Sequence, residues 1–212
     1  MPSLRVVQRA FKGISRFYDA APLQAWVYHP AHDVVRDAIR ASAGGHRLPL
    51  VVDVGVGTGE SLRWLPDVAE RVVGVDLSWD MLSRAREKRA ARTWLVRASG
   101  TALPLSSGTA DVVMSCYSMH WWPDVGEGWR ELRRVVRPGG MVLVVVPAVT
   151  THFPLPLRPL VKRAVSRFIM HAMSADEYAA LATAAGLDVQ TLQRLQPIGW
   201  LVHARRPAVS SS

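Results

Sequence analysis

Three glycines at alternate positions follow a short apolar run containing an acid: Val51-Val52-Asp53-Val54-Gly55-Val56-Gly57-Thr58-Gly59-Glu60. Residues without a Cβ let the backbone come unusually close to a ligand, and at the end of a strand such a turn suits a nucleotide-like cofactor. Asp76 closes the next apolar stretch, Arg71 to Val75, and an acid in that place can accept hydrogen bonds from both hydroxyls of a ribose. Its other use is as a helix cap, although Ser78 already fills that role. The third chemical stretch is Ser115-Cys116-Tyr117-Ser118-Met119-His120-Trp121-Trp122. His120 can serve there as a general base, or it can be an imidazole fixed by a backbone bond.

The elements around these residues alternate. Strands are expected at Leu50–Val54, Arg71–Asp76, Trp94–Ala98, Asp111–Ser115 and Met141–Val146, the last an almost unbroken β-branched and aliphatic run suited to burial on both faces. Helices are expected near Glu60–Ala69, at Ser78–Arg92 and at Pro123–Arg137, with proline in the first turn of the last. The alternation predicts a parallel sheet covered on both faces, with residues after each strand facing one crevice. Ahead of it lie an amphipathic N-terminal helix with a basic face and a helix from Pro30 to Ala43 stopped by Gly44-Gly45. After it, Ser174 and Glu177 form a capping box opening a helix that ends at Gly186, and Gln196-Pro197 separates two strands of an antiparallel hairpin, Leu187–Leu195 and Ile198–Ala204.

The chain of 212 residues, 49% hydrophobic and 20% charged, has the composition of one globular domain. We divide it into an N-terminal helical cap (1–45), a cofactor-binding core (46–147), a lid insertion (148–173) and a C-terminal helix and hairpin (174–207). Its apolar runs fall far short of the roughly 20 residues of a membrane-spanning helix, and no secretory signal pattern is present, so the expected location is cytoplasmic. The formal net charge of +9 attracts anions, but no nucleic-acid module is recognisable and nucleic acid is not an expected partner. A lone cysteine, Cys116, makes no disulfide within the chain, and no metal site is expected.

Five pieces in order, Val51–Glu60, Val73–Leu82, Ala102-Leu103-Pro104-Leu105, Asp111-Val112-Val113 and Arg134–Gly140, resemble the class I S-adenosylmethionine-dependent methyltransferases. The stretch from Tyr18 to Pro207 is most similar to the type 11 methyltransferase domain, which includes ubiquinone and menaquinone biosynthesis enzymes. The resemblance implies an α/β, Rossmann-like fold: a seven-stranded, mostly parallel sheet with an antiparallel last strand and helices on both faces. It implies S-adenosyl-L-methionine as cofactor and S-adenosyl-L-homocysteine as product. By the same resemblance Gly55, Gly57 and Gly59 pass under the methionine and ribose beside Asp53, Asp76 holds the ribose, Leu77 and Met81 flank the adenine, and Gly100, Thr101 and Ser115 complete the cofactor crevice. Ser99 stands where these enzymes often carry an acid for the adenine amino group; a serine hydroxyl or a backbone carbonyl can accept that bond instead. Tyr18 resembles an N-terminal tyrosine that closes over the cofactor, with core packing as its alternative role.

Methyl transfer from a sulfonium depends mainly on positioning, and a base is needed only where the acceptor must lose a proton. Trp26, Tyr28, Trp121 and Trp122 can line a pocket for a small apolar or aromatic acceptor of quinone, lipid or natural-product type, or they can pack in the ordinary way. The apolar and basic stretch Thr151–Met173 can dock peripherally on an anionic membrane or pack on its own domain. Two other functions remain open at this point: a non-catalytic or regulatory cofactor-binding, membrane-associated protein, and an NAD-dependent oxidoreductase. Against the second stand the Gly-x-Gly-x-Gly spacing and the lack of a Tyr-x-x-x-Lys pair.

Overall fold

A computed structural model describes residues 28–147 and 173–208. The expected N-terminal helix, Tyr18, Trp26 and all but the last residue of the 148–173 insertion lie outside the described residues.

In chain order the elements are α1 (His29–Ala43), β1 (Leu48–Val54), a 3-10 turn (Ser61–Arg63), α2 (Leu65–Val68), β2 (Ala69–Asp76), α3 (Trp79–Ala85), β3 (Thr93–Arg97), β4 (Ala110–Cys116), α4 (Val125–Val135), β5 (Val136–Pro147), α5 (Ala175–Ala184), β6 (Asp188–Leu195) and β7 (Gly199–Arg205). The seven strands form one sheet ordered β3-β2-β1-β4-β5-β7-β6. Strands β1 to β5 pair in parallel, and β7 runs antiparallel to both β5 and β6. Reversal at β7 lets a hairpin finish the sheet without another crossover helix.

Two hydrophobic cores lie on opposite faces. One gathers Val35 and Ile39 of α1, Leu65 of α2, Leu82 and Ala85 of α3 and alternate residues of the central strands. The other gathers Trp129 and Leu132 of α4, Tyr178 and Ala182 of α5 and the intervening strand residues. Central strands feed both faces, which is why β4 and β5 read as continuous apolar runs. On the first face the indole Nε1 of Trp64 donates to His32 Nδ1 at 3.1 Å, fixing α1 beside the turn after the glycines. Burial pushes the His32 pKa down to about 4, against the pull of Glu60, so the ring is neutral and accepts that bond.

Several boundaries differ from the sequence reading, each for a local reason. The helix expected at Glu60–Ala69 is a 3-10 turn and the single-turn α2, interrupted at Trp64; Pro66 has no N–H with which to continue a helix from upstream. The α-helical part of the next helix ends at Ala85, and a 3-10 turn, Arg86–Lys88, replaces its last part. Pro123 lies outside α4, whose cap is Asp124, its carboxylate accepting the Glu127 N–H at 2.8 Å. Strand β5 begins at Val136, not Met141, with Arg137–Gly140 looped out between the pairs Ala110↔Val136 and Val112↔Met141. Gly44 takes the left-handed conformation expected of it, φ 58°, and Ser174 with Glu177 forms the capping box.

Three of the five motif pieces act on the frame. Arg134 donates to the carbonyls of Leu103 (2.9 Å) and Leu105 (2.7 Å) and pairs with Glu131, which accepts the Leu103 N–H at 2.7 Å. Asp111 accepts from the Leu50 N–H at 2.9 Å and from Arg137 at 2.7 Å, tying β1 to β4 and β5. Arg206 places one guanidinium nitrogen against the carbonyls of Arg133, Arg134 and Val136, where α4 ends. Part of the basic surplus thus serves as carbonyl caps.

Candidate functional site

Because β1, β2, β3 and β4 are parallel, their carboxyl ends share one edge of the sheet, where an open α/β fold takes its ligand. Gly55 and Val56 donate their N–H groups to the carbonyl of Val75 at 2.7 and 3.0 Å, so the turn after β1 folds over the end of β2. Gly59 has φ 83°, and a Cβ there would stand 2.9 Å from the Ala85 Cα. Only glycine meets both conditions, and the loop therefore lies tight against α3.

Asp76 sits at the end of β2 with one carboxylate oxygen on the Gly57 N–H (2.9 Å) and the other on the Ser78 N–H (2.8 Å). Burial raises its pKa, and the N–H bonds from Ser78, Gly57 and Leu77 oppose that shift. Each oxygen keeps acceptor capacity for a hydroxyl donor, so the side chain is oriented but not saturated. The capping role is filled by Ser78, whose hydroxyl accepts the Met81 N–H at 3.4 Å.

Asp53 is buried inside the end of β1. Its Oδ2 accepts from the Ser61 hydroxyl at 2.5 Å, while Oδ1 has no hydrogen-bond partner among the described residues. Burial pushes its pKa up to about 7; the Ser61 hydroxyl opposes this and the charge of Asp76 adds to it. A buried acceptor atom without a partner, close under a glycine turn, fits a ligand that brings a donor or a positive charge. Glu60, at the far end of the turn, is surrounded by His29, Arg63 and Lys88. Burial would raise its pKa, but Lys88 and Arg63 outweigh burial and leave it lowered.

Leu77 is half-buried, and Met81 is buried without belonging to either core. Ser99, Gly100 and Thr101 form a tight turn past β3, anchored where the Ala98 N–H donates to the Asp76 carbonyl at 3.2 Å. Ser115 is fully buried at the end of β4, its hydroxyl without a partner among the described residues. His120 is buried in a 3-10 turn, Met119–Trp121, with its ring 5.2 Å from that of Trp121.

Trp122 is buried and packs between two glycines. A Cβ on Gly100 or on Gly128 would each come within 2.5 Å of its indole, and its Nε1 donates to Ser118 Oγ at 2.9 Å. Ser118 in turn fills the space over Gly55, where a Cβ would lie 1.9 Å from its hydroxyl. The turns after β1, β3 and β4 are thereby locked together. Tyr117 was not singled out in the sequence as a site residue. Its φ is 50°, a left-handed conformation rare for an aromatic residue. Its ring meets Tyr28 edge-on at 5.3 Å, and its hydroxyl, closed in by Gly199, has no partner among the described residues. Nothing in the residue types around position 117 signals that backbone conformation.

Residues 52–144 match the methyltransferase domain family. Over 209 residues the chain is 30% identical to the demethylmenaquinone methyltransferase of Corynebacterium kroppenstedtii, covering 92% of this chain and 86% of that protein. It is 35% identical over 139 residues to the malonyl-[acyl-carrier protein] O-methyltransferase of Pseudescherichia vulneris, covering 65% of this chain but only 52% of that one. The chain thus spans about half the length of that relative. Among solved structures, the methyltransferase found in complex with a Haloferax volcanii methyltransferase activator superposes with a TM-score of 0.76 at 19% identity, over 95% of this chain and 97% of that one. An S-adenosylmethionine-dependent methyltransferase from Mesorhizobium loti gives 0.69 at 20% identity, over 84% and 99%.

Proposed function

The chain belongs to the S-adenosylmethionine-dependent methyltransferases, and from that premise we propose that it methylates a small apolar or aromatic acceptor of quinone, lipid or natural-product type. The observation that carries the cofactor part of this reading is the pair of acids at the strand ends, Asp76 oriented by the glycine turn and Asp53 with an oxygen left without a partner among the described residues. The similarity to a demethylmenaquinone methyltransferase supports an acceptor of that general size and polarity.

The bound cofactor supplies an electrophilic methyl group on a sulfonium. The residues contribute position and charge. The backbone of Gly55, Gly57 and Gly59 forms the floor, and Asp76 accepts from the ribose hydroxyls. Asp53 would lie beside the positively charged methionine end, while Leu77 and Met81 would flank the purine. Ser99, Gly100 and Thr101 close the purine edge, with Ser115 supporting from within the sheet. Tyr28 and Tyr117 form the aromatic side toward the acceptor. His120 accepts a proton where the acceptor atom is a hydroxyl or an activated carbon, and has no such duty for a neutral amine. Tyr18 belongs to the N-terminal segment, and we assign it the closing role there.

Calorimetry with S-adenosylmethionine and, separately, with NAD tests the cofactor. Binding of the former alone is expected; binding of NAD alone overturns the proposal. Methyl-transfer assays over quinols, phenols and phospholipid amines then identify the acceptor. Transfer to none of them, with cofactor bound, favours a regulatory binding protein.

A further inference from the structure

The turn past β3 departs from an acid-bearing adenine edge in a way that has consequences for ligand selection. Ser99 Oγ accepts the Thr101 N–H at 3.2 Å and shares a hydrogen bond of 2.8 Å with Thr101 Oγ1. The Ser99 carbonyl is also engaged, accepting the Ala102 N–H at 3.1 Å. Glu131, whose carboxylate reaches the same loop, is taken up by Leu103 N–H and Arg134. Gly100 lies flat against Trp122, which keeps the turn in place. Asp76, whose carbonyl accepts the Ala98 N–H, has its carboxylate oriented by Gly57 and Ser78 and is assigned to the ribose hydroxyls.

Accordingly, we propose that Ser99 and Thr101 give this chain a self-satisfied purine edge, so that it binds adenosyl ligands by shape and ribose contacts and is nearly indifferent to the 6-amino group. The inference rests on the cofactor site proposed above. A carboxylate carries only acceptors, and a ligand without the amino donor leaves it buried and unpaired, which is how polar sites reject such analogues. Two hydroxyls behave differently. Each is both donor and acceptor, and in the ligand-free protein they already satisfy one another. Removing the amino group from the ligand therefore orphans nothing. The class of ligand admitted is wider: S-ribosylhomocysteine conjugates of purines altered at position 6.

The test compares calorimetric affinities of the whole chain for S-adenosylhomocysteine and for the same compound lacking its 6-amino group. Wild-type protein is expected to lose less than about fivefold, the value of a weak neutral contact, whereas Ser99→Asp is expected to lose more than about tenfold, as for a hydrogen bond to a charged group. Ser99→Asn, which adds an uncharged acceptor, serves as the second variant if aspartate unfolds the turn, and is expected to move in the same direction. A wild-type loss above about fivefold overturns the inference, because some other acceptor then reads the amino group. An unchanged ratio in both folded variants also overturns it, because position 99 is then not at the purine edge. Failure of wild-type protein to bind S-adenosylhomocysteine at all instead overturns the cofactor site itself.

Discussion

Replacing Asp53 by asparagine tests whether burial governs the cofactor site. The structure holds this carboxyl inside β1 with a pKa near 7, against an ordinary value of 3.8. A difference of about three units corresponds to roughly 4 kcal/mol between the protonated and ionised forms. The sign follows from proton binding: between about pH 4 and pH 7 the folded chain holds this proton and the unfolded chain does not. Stability is therefore highest below the unfolded value, falls as pH rises toward 7, and levels off above it. Asparagine keeps an acceptor for Ser61 and cannot ionise, so the variant lacks that slope. Urea unfolding of both proteins from pH 4 to pH 8, taken as a difference, cancels the other carboxyl groups. The asparagine variant should gain on wild type by an amount on the order of 4 kcal/mol across that range. A gap that stays constant within about 0.5 kcal/mol, the usual error of such differences, would refute a buried Asp53 titrating near neutrality. The sulfonium of S-adenosylmethionine brings a positive charge that opposes the same penalty, so this cofactor should bind more tightly at pH 8 than at pH 6 to wild type and with a smaller pH dependence to the variant.

Asp76→Ala should weaken S-adenosylmethionine binding by at least about a hundredfold, the lower bound for two hydrogen bonds to a charged group; unchanged calorimetric affinity would remove that residue from the site. Gly59→Ala should lower stability by more than about 1 kcal/mol, since the residue has a positive φ and the methyl meets α3 backbone at 2.9 Å. A melting temperature equal to that of wild type would show that the loop is not held against α3. Sedimentation with liposomes of anionic lipid should show association that is lost at high salt if the basic Thr151–Met173 stretch docks on a membrane. No salt-sensitive association would remove membrane docking as that stretch's role.

What the sequence made legible was the part of the fold written in runs and caps. The alternation of strands and helices, the twofold burial of Met141–Val146, the stop at Gly44 and the capping box at Ser174 each depend on a few neighbouring residues. The seven-stranded sheet with its antiparallel last strand followed from the resemblance and is borne out by the pairing, whereas the strand order was not read from the sequence. Effects that join distant segments were not legible. Asp111 within its apolar strand does not reveal its bonds to Leu50 and Arg137, and Trp122 does not reveal that two glycines make room for it. The left-handed backbone at Tyr117 is imposed by its surroundings, not by its residue type. The site divides in the same way. The local motif pointed to Asp53 and Asp76, whereas the turn that commits Ser99 to Thr101 depends on side-chain geometry.

The wedge of Trp122 between Gly100 and Gly128, with Ser118 bridging to Gly55, constrains how this chain can change over generations. A larger residue at either glycine collides with the indole, and a larger one at 55 collides with the serine. A library that varies one position at a time will record the three glycines as intolerant of larger residues. Paired replacements, a smaller ring at 122 with alanine at 100 or 128, restore the volume and reopen routes that single steps close. Descendants of this sequence should therefore alter the turn after β3 and the turn after β4 together.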